Sequence, residues 1–379
     1  MDYNTLFTNG CVVQISAFTK NKGVSEYNFF IHTSVSGTIG KQIASLHGAL
    51  ADILNRIEYK NVLPLFKKYF ARDVSEVSSI ISGKTEITPY CTTSLIQQPP
   101  LDGSEIALWV FGVTDFSGSS DNVNDYSHNG YTHVWTAGIF SGIEPVKGQT
   151  MEILEEYDRR LFAKGGSIKD NCLRTWFFVD EIDNNYSEFV EGRKRYFSSI
   201  GLDEKTHYIA STGICGSCGK NGSIVSMDAY ALIGLDEAQV KYLYSKDHLC
   251  STYDYGVTFE RGVTIQYGDR RHVIISGTAS IDNHGNILFV NDIKGQTLRM
   301  WENVEVLLRE AEADFADVSH IIVYLRNRDD YAIVENMFSE RFPYVPCTIT
   351  LAPVCRPGWL IEMECMATLP LGNGNFRNF

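Results

Sequence analysis

The chain has 379 residues, 44% of them hydrophobic and 21% charged, and a formal net charge of −13. This is ordinary globular composition with length for two or three domains, and no apolar run approaches the roughly 18 residues that a membrane helix needs. An acidic chain without a Lys/Arg cluster repels nucleic acid, whereas a small anion is admissible wherever a few arginines gather in one cleft.

Met1–Ala17 lacks a basic stretch followed by an apolar one, and the nine cysteines are odd in number and scattered. Both features predict a cytoplasmic protein with free thiols. In chain order, Ile43–Leu54 reads as a helix and Asn61–Phe70 as a strand. The turn signal Gln97–Gly103 precedes the apolar strand Ile106–Val113, and the Gly/Ser/Asn-rich loop Phe116–His128 marks a boundary. Lys147-Gly148-Gln149-Thr150 then opens a helix whose apolar stripe is Met151, Leu154, Tyr157 and Leu161. A β-rich run follows at Leu173–Val179, a second helix near Tyr186–Phe197 and a strand at Val225–Ala231. A second boundary is expected near Asp247–Tyr255.

Beyond it the pattern returns. Lys294-Gly295-Gln296-Thr297 opens a helix with Leu298, Trp301, Val304, Leu307 and Leu308 on one face. Ile321–Leu325, a helix near Tyr331–Phe342 and the strand Ile361–Ala367 complete it, and Asp170 and Asp317 each lie 22 residues past the glycine of their tetrapeptide. Shared order and spacing identify an internal repeat, with a more diverged copy at the start. The expectation is an α+β chain of three units, 1–118, 129–245 and 256–370.

The third unit is specific enough to place. Ile275–Ser280, Asp292–Thr297, Glu302-Asn303-Val304 and Ile361–Ala367 resemble, in order, the elements of a Rid-type (YjgF, endoribonuclease L-PSP-like) domain. That resemblance implies a chorismate-mutase-like fold, usually a homotrimer with clefts between subunits. Three tandem Rid-like copies then imply an intrachain pseudo-trimer, monomeric or of low oligomeric order, since each unit has an edge and a sheet face it does not bury alone.

Residues 170–367 also resemble the chorismatases, Rid-like enzymes that hydrolyse the enolpyruvyl ether of chorismate. Arg174-Thr175-Trp176, Tyr186, Gly192-Arg193, Phe197, Ala210–Ile214, Cys355-Arg356 and Leu360-Ile361-Glu362 carry this likeness.

Arg356 offers a rigid fork for a carboxylate, and Glu362 follows it with Trp359 and Leu360 between. Apolar surroundings raise a carboxyl pKa, which suits a general acid. The competing reading is a surface ion pair at a strand end. Glu364 falls on the same strand face as Glu362, and which of them faces a cleft is open at this point. Arg174, in an aromatic strand, needs either a partner such as Asp180 or an anionic ligand. The Gly-rich loop Ser211–Gly219 offers backbone amides to a carboxylate. Its Cys215 and Cys218 have no second pair nearby, so no metal is expected. The chorismatase resemblance implies that Arg174, Arg193, Gly213, Cys215 and Cys355 contact substrate, with Glu362 and Arg356 catalytic.

Two departures matter. Where active Rid deaminases carry an arginine after a Phe-Pro-like turn, Phe342-Pro343-Tyr344-Val345-Pro346 places Val345. Ser226 and Asp228 stand in the second unit where the third has Glu362 and Glu364, and the corresponding strand of the first unit is apolar. One cleft of three is therefore expected to be catalytic. The expected activity is chorismatase-like hydrolysis or lysis of a small carboxylated metabolite, without cofactor, nucleic acid or membrane partner. The alternatives are a Rid-type imine/enamine deaminase and a non-catalytic metabolite-binding protein.

Overall fold

The computed structural model describes residues 1–82, 91–114, 125–253 and 256–379. Residues 116–124 and 254–255, parts of the two expected boundary loops, lie outside the described residues. Three sheets with helices alongside them follow one another along the chain.

The first contains β1 (Asp2–Thr8), β2 (Cys11–Phe18), β3 (Glu26–Thr33), α1 (Ile39–Leu54), β4 (Leu63–Ala71), α2 (Val74–Ser82), β5 (Thr92–Gln97) and β6 (Ile106–Val113). The second contains β7 (Asp125–His128), β8 (Tyr131–Phe140), α3 (Val146–Phe162), the single turn α4 (Ile168–Asn171), β9 (Cys172–Val179), α5 (Ile182–Ser199), β10 (Ala210–Cys215) and β11 (Val225–Ile233). The third contains β12 (Val240–Leu243), β13 (Gly262–Gln266), β14 (Arg271–Ala279), α6 (Ile293–Glu310), β15 (Val318–Leu325), α7 (Tyr331–Arg341), β16 (Cys347–Leu351) and β17 (Ile361–Leu369).

The first and third sheets share one topology, β1-β2-β3-β6-β4-β5 and β12-β13-β14-β17-β15-β16; the second, β10-β9-β11-β8-β7, lacks the outermost strand. Two expected limits need correction. β7 already pairs with β8, so the second unit begins before residue 129. β12, placed by sequence in the second unit, pairs with β13 in the third sheet. It pairs with a strand that follows it, which composition along the chain does not reveal.

Registers show the repeat residue by residue. Trp109 pairs with Lys68 and Lys68 with Ser94; Asp228 with Trp176 and Trp176 with Thr212; Glu364 with Ile322 and Ile322 with Thr348. The recurring tetrapeptide now has a physical role. Gln149 Oε1 accepts the Ile224 amide at 2.8 Å and its Nε2 donates to Gly222 O at 2.7 Å, just before β11. Gln296 Oε1 accepts the Leu360 amide at 2.8 Å and its Nε2 donates to Gly358 O at 2.9 Å, just before β17. Gln42 in α1 accepts the Glu105 amide at 2.8 Å before β6. Each buried glutamine satisfies backbone groups in the loop that delivers the central strand of its sheet.

The inner sheet faces meet one another. Phe66 and Trp109 from the first unit and Trp135 and Trp176 from the second share a core with the third unit's Ile274, Ile322 and Tyr324. Phe66 stacks on Trp135 with centroids 4.8 Å apart, and Trp109 lies 4.5 Å from the His320 ring. Among the described residues, no helix is long and apolar enough to cross a membrane.

Candidate active site between the second and third units

Alternation along β17 puts Glu362 and Glu364 on one face, toward the second unit, yet they meet different surroundings. Glu364 is fully engaged. It accepts Arg174 Nη2 at 2.7 Å, Trp176 Nε1 at 2.6 Å and Thr212 Oγ1 at 2.5 Å, all from the second unit. The pair is buried, with side chains 1% and 4% exposed, so the charges hold each other and the Thr212 hydroxyl in place. The neighbouring seam repeats the device: Ser94 Oγ donates to Asp228 Oδ2 at 2.6 Å and Lys68 Nζ lies 3.2 Å from the same oxygen.

Glu362 instead lines a cleft. From the second unit come Tyr186 and Arg193 of α5 and Ser211 and Gly213 of β10; from the third come Arg261, Gly277, Cys355, Arg356 and Trp359. Gly277 sits in a bulge of the β14–β17 pairing, where its amide donates to Thr212 Oγ1 at 2.9 Å. Burial, joined by the nearby Glu364 charge and opposed by Arg174 and Arg261, pushes the Glu362 carboxyl up to about 8. At neutral pH it is an acid with a proton to give.

The guanidiniums are held by their own partners. Arg193 Nε donates to Thr258 Oγ1 at 2.8 Å, and its head lies 4.8 Å from the Phe189 ring centre. Arg261 Nη2 donates to Cys250 O at 3.2 Å. Arg356, half-buried, lies 5.0 Å over Trp359 and donates to Gly285 O at 3.3 Å. Its loop is clamped by Arg326, which donates to the carbonyls of Trp359 at 3.0 Å and Arg356 at 3.1 Å and pairs with Asp183 of α5 at 2.8 Å. Cys355 lines the cleft as a thiol, since burial raises it to about 12.

Of the expected site residues, Glu362, Arg356, Arg193, Gly213 and Cys355 line this cleft, and Arg174 and Cys215 do not. Arg174 is 1% exposed and committed to Glu364, the partner that its aromatic strand demanded; Asp180 is not that partner. Cys215 ends β10 against the start of α5, and burial raises its thiol. Among the described residues, no group of three or more His, Cys, Asp or Glu side chains is arranged to hold a metal. Arg261 and Gly277 were not expected. The signal for Arg261 was a charge at the head of an apolar strand, and for Gly277 a glycine within one.

Residues 262–369 match the family model Endoribonuclease L-PSP. A RutC family protein of Pyrococcus abyssi is 34% identical over 97 residues, which is 25% of this chain and 76% of that protein. The crystal structure of a chorismatase superposes with a TM-score of 0.65 at 17% identity, covering 92% of this chain and all 100% of that one, so the whole three-unit fold is shared. A putative endoribonuclease L-PSP from Entamoeba histolytica aligns over 34% of this chain and 99% of its own, at 21% identity and a TM-score of 0.30. The chain belongs to the Rid superfamily, with Rid-like units in tandem and an overall fold like that of a chorismatase.

Proposed function

We propose that the chain is a chorismatase-like hydrolase that cleaves the enolpyruvyl ether of a small carboxylated metabolite in the cleft between its second and third units. One observation carries this reading: a carboxylic acid kept protonated near neutrality, in a cleft that also contains the guanidiniums of Arg193, Arg261 and Arg356. Guanidiniums recognise carboxylates through paired, charge-assisted hydrogen bonds. The acid supplies what an enol ether lacks, a proton for its terminal carbon. Proton transfer from Glu362 gives an oxocarbenium ion, and the carboxylate left behind accepts a proton from the water that adds to it. The hemiketal then collapses to pyruvate and an alcohol, with water the sole co-reactant. Positioned acids contribute about 10²- to 10⁴-fold to such steps. Free space in the folded cleft is only about 30 Å³, so on this reading substrate entry requires lining side chains to move.

On this reading the chain works in the cytoplasm as a self-contained pseudo-trimer. Its partner is the small carboxylate rather than nucleic acid or membrane, and no cofactor is required. Incubation with chorismate and a coupled pyruvate assay tests it; no pyruvate at high protein concentration would overturn it. Ammonia release from 2-iminobutanoate generated in situ would assign the imine-deaminase branch instead. Thermal stabilisation by chorismate without product would assign a binding role.

A further inference from the structure

The seam between the third and first units carries a second cavity, of about 340 Å³, at the position that the repeat makes equivalent to the candidate active site. Cys347 and Ile349 of β16 pair with Ile321 and Val323 as Ser211 and Gly213 of β10 pair with Thr175 and Phe177. His32 pairs with Ala107 as Ala279 pairs with Glu362. The chemistry is inverted. Where the first cleft has arginines, the described side chains lining this one include Asp102 and Glu335 and no Lys or Arg. Asp102 Oδ2 lies 2.8 Å from His32 Nδ1, and its Oδ1 accepts the Ser104 amide at 2.9 Å. The opposite ring nitrogen of His32 is 3.3 Å from Thr348 Oγ1, so a hydrogen-bonded row spans the seam. Glu335 and Tyr331 project from α7, and Val12, Phe338 and Ile349 supply apolar walls. Arg341, beside an adjoining hollow, lies 5.0 Å from the Trp301 ring and 3.8 Å from Glu305.

We propose that this third-to-first seam is a second ligand site, and that it takes a small organic ammonium ion: the cationic head against Asp102 and Glu335, the hydrocarbon body against Val12, Phe338 and Ile349. Two carboxylates against the single imidazole of His32, with no Lys or Arg among the described lining residues, favour positive charge, and the aromatic and aliphatic walls favour an apolar body. The volume suits an ion of phenethylammonium size. The tandem repeat explains how one fold offers both sites: each seam inherits a cleft, and substitution of its lining sets the sign of the ligand.

Isothermal titration of the full-length chain with phenethylammonium, and separately with 3-phenylpropanoate, tests the proposal. The amine is expected to bind and the carboxylate to bind at least tenfold more weakly at this seam. Glu335→Gln, at the exposed rim, is expected to weaken the amine at least tenfold, and Ile349→Trp, which fills the cavity, to abolish its binding. Arg356→Ala, which acts at the other seam, is expected to leave amine binding unchanged. Absence of amine binding, a carboxylate affinity that equals the amine's and is likewise lost in Ile349→Trp, retention of affinity in both seam variants, or loss of amine binding in Arg356→Ala would each overturn the assignment. None of these readouts depends on turnover at the first cleft.

Discussion

The carboxyl of Glu362 occupies the space that a side chain on Gly277 would need: a Cβ built there would lie 2.1 Å from Glu362 Oε1 and 3.0 Å from Thr212 Cγ2. Gly277 is therefore glycine for lack of room, not for backbone conformation, and its bulge sets where the acid rests. Gly277→Ala is expected to push the Glu362 carboxyl out of place. Pyruvate release from chorismate should fall at least tenfold, while far-ultraviolet circular dichroism stays that of the parent. Full activity in the alanine variant would show that the acid has freedom the packing denies it.

The raised pKa of Glu362 makes two pH predictions with a common origin. Activity that needs the protonated acid is flat at low pH and falls as pH rises through about 8. Stability follows the linkage relation. The folded state holds this proton at pH values where the unfolded chain has released it, so this group's contribution is complete below the unfolded carboxyl pKa, near 4.3, and declines as pH rises to about 8. The limiting slope is about 1.4 kcal/mol per pH unit. Glu362→Gln should abolish turnover and remove that slope, so the variant gains stability relative to the parent between pH 5 and pH 8. Parallel denaturation curves for the two proteins across this range would contradict the raised pKa.

Glu364 and Arg174 act on the site from behind. Replacing Glu364 by Gln removes a like charge beside Glu362, so the alkaline limb of the activity profile should move to lower pH. Arg174→Met leaves Glu364 buried without its cation, which costs about 3–5 kcal/mol in chemical denaturation. An unmoved limb in Glu364→Gln would mean that burial alone sets the acidity of Glu362.

The repeat was legible because duty preserved its residues. The Lys-Gly-Gln-Thr segments survive in the second and third units because their glutamines hold the loops ahead of β11 and β17. In the first unit the same duty falls to Gln42 within Gly40-Lys41-Gln42-Ile43, too short a likeness to flag, and α2 has no sequence signal of similar strength. Arg356 and Glu362 were legible because they lie within one short segment. Arg261 was not, because it reaches the cleft from the head of β13 and carries no motif. The need of Arg174 for a partner could be read from its aromatic strand. That Glu364, 190 residues away, supplies it depends on how the sheets meet, which no local pattern encodes.

Two of these glutamines separate scaffold from catalysis. Gln149→Ala and Gln296→Ala each strip hydrogen bonds from largely part-buried backbone groups: the Ile224 and Val225 amides and Gly222 O in one case, the Leu360 amide and Gly358 O in the other. Each substitution should cost about 1–3 kcal/mol for the groups left unsatisfied. Their effects on turnover should differ. The loop held by Gln296 carries Arg356 and leads into Glu362, whereas the loop held by Gln149 leads into Ser226 and Asp228 on the other seam. At a temperature where both variants are folded, Gln296→Ala should lower kcat/KM for chorismate at least tenfold and Gln149→Ala by less than threefold. Equal losses would mean that the two seams are coupled, and that the cleft holding Glu362 does not function apart from its neighbours.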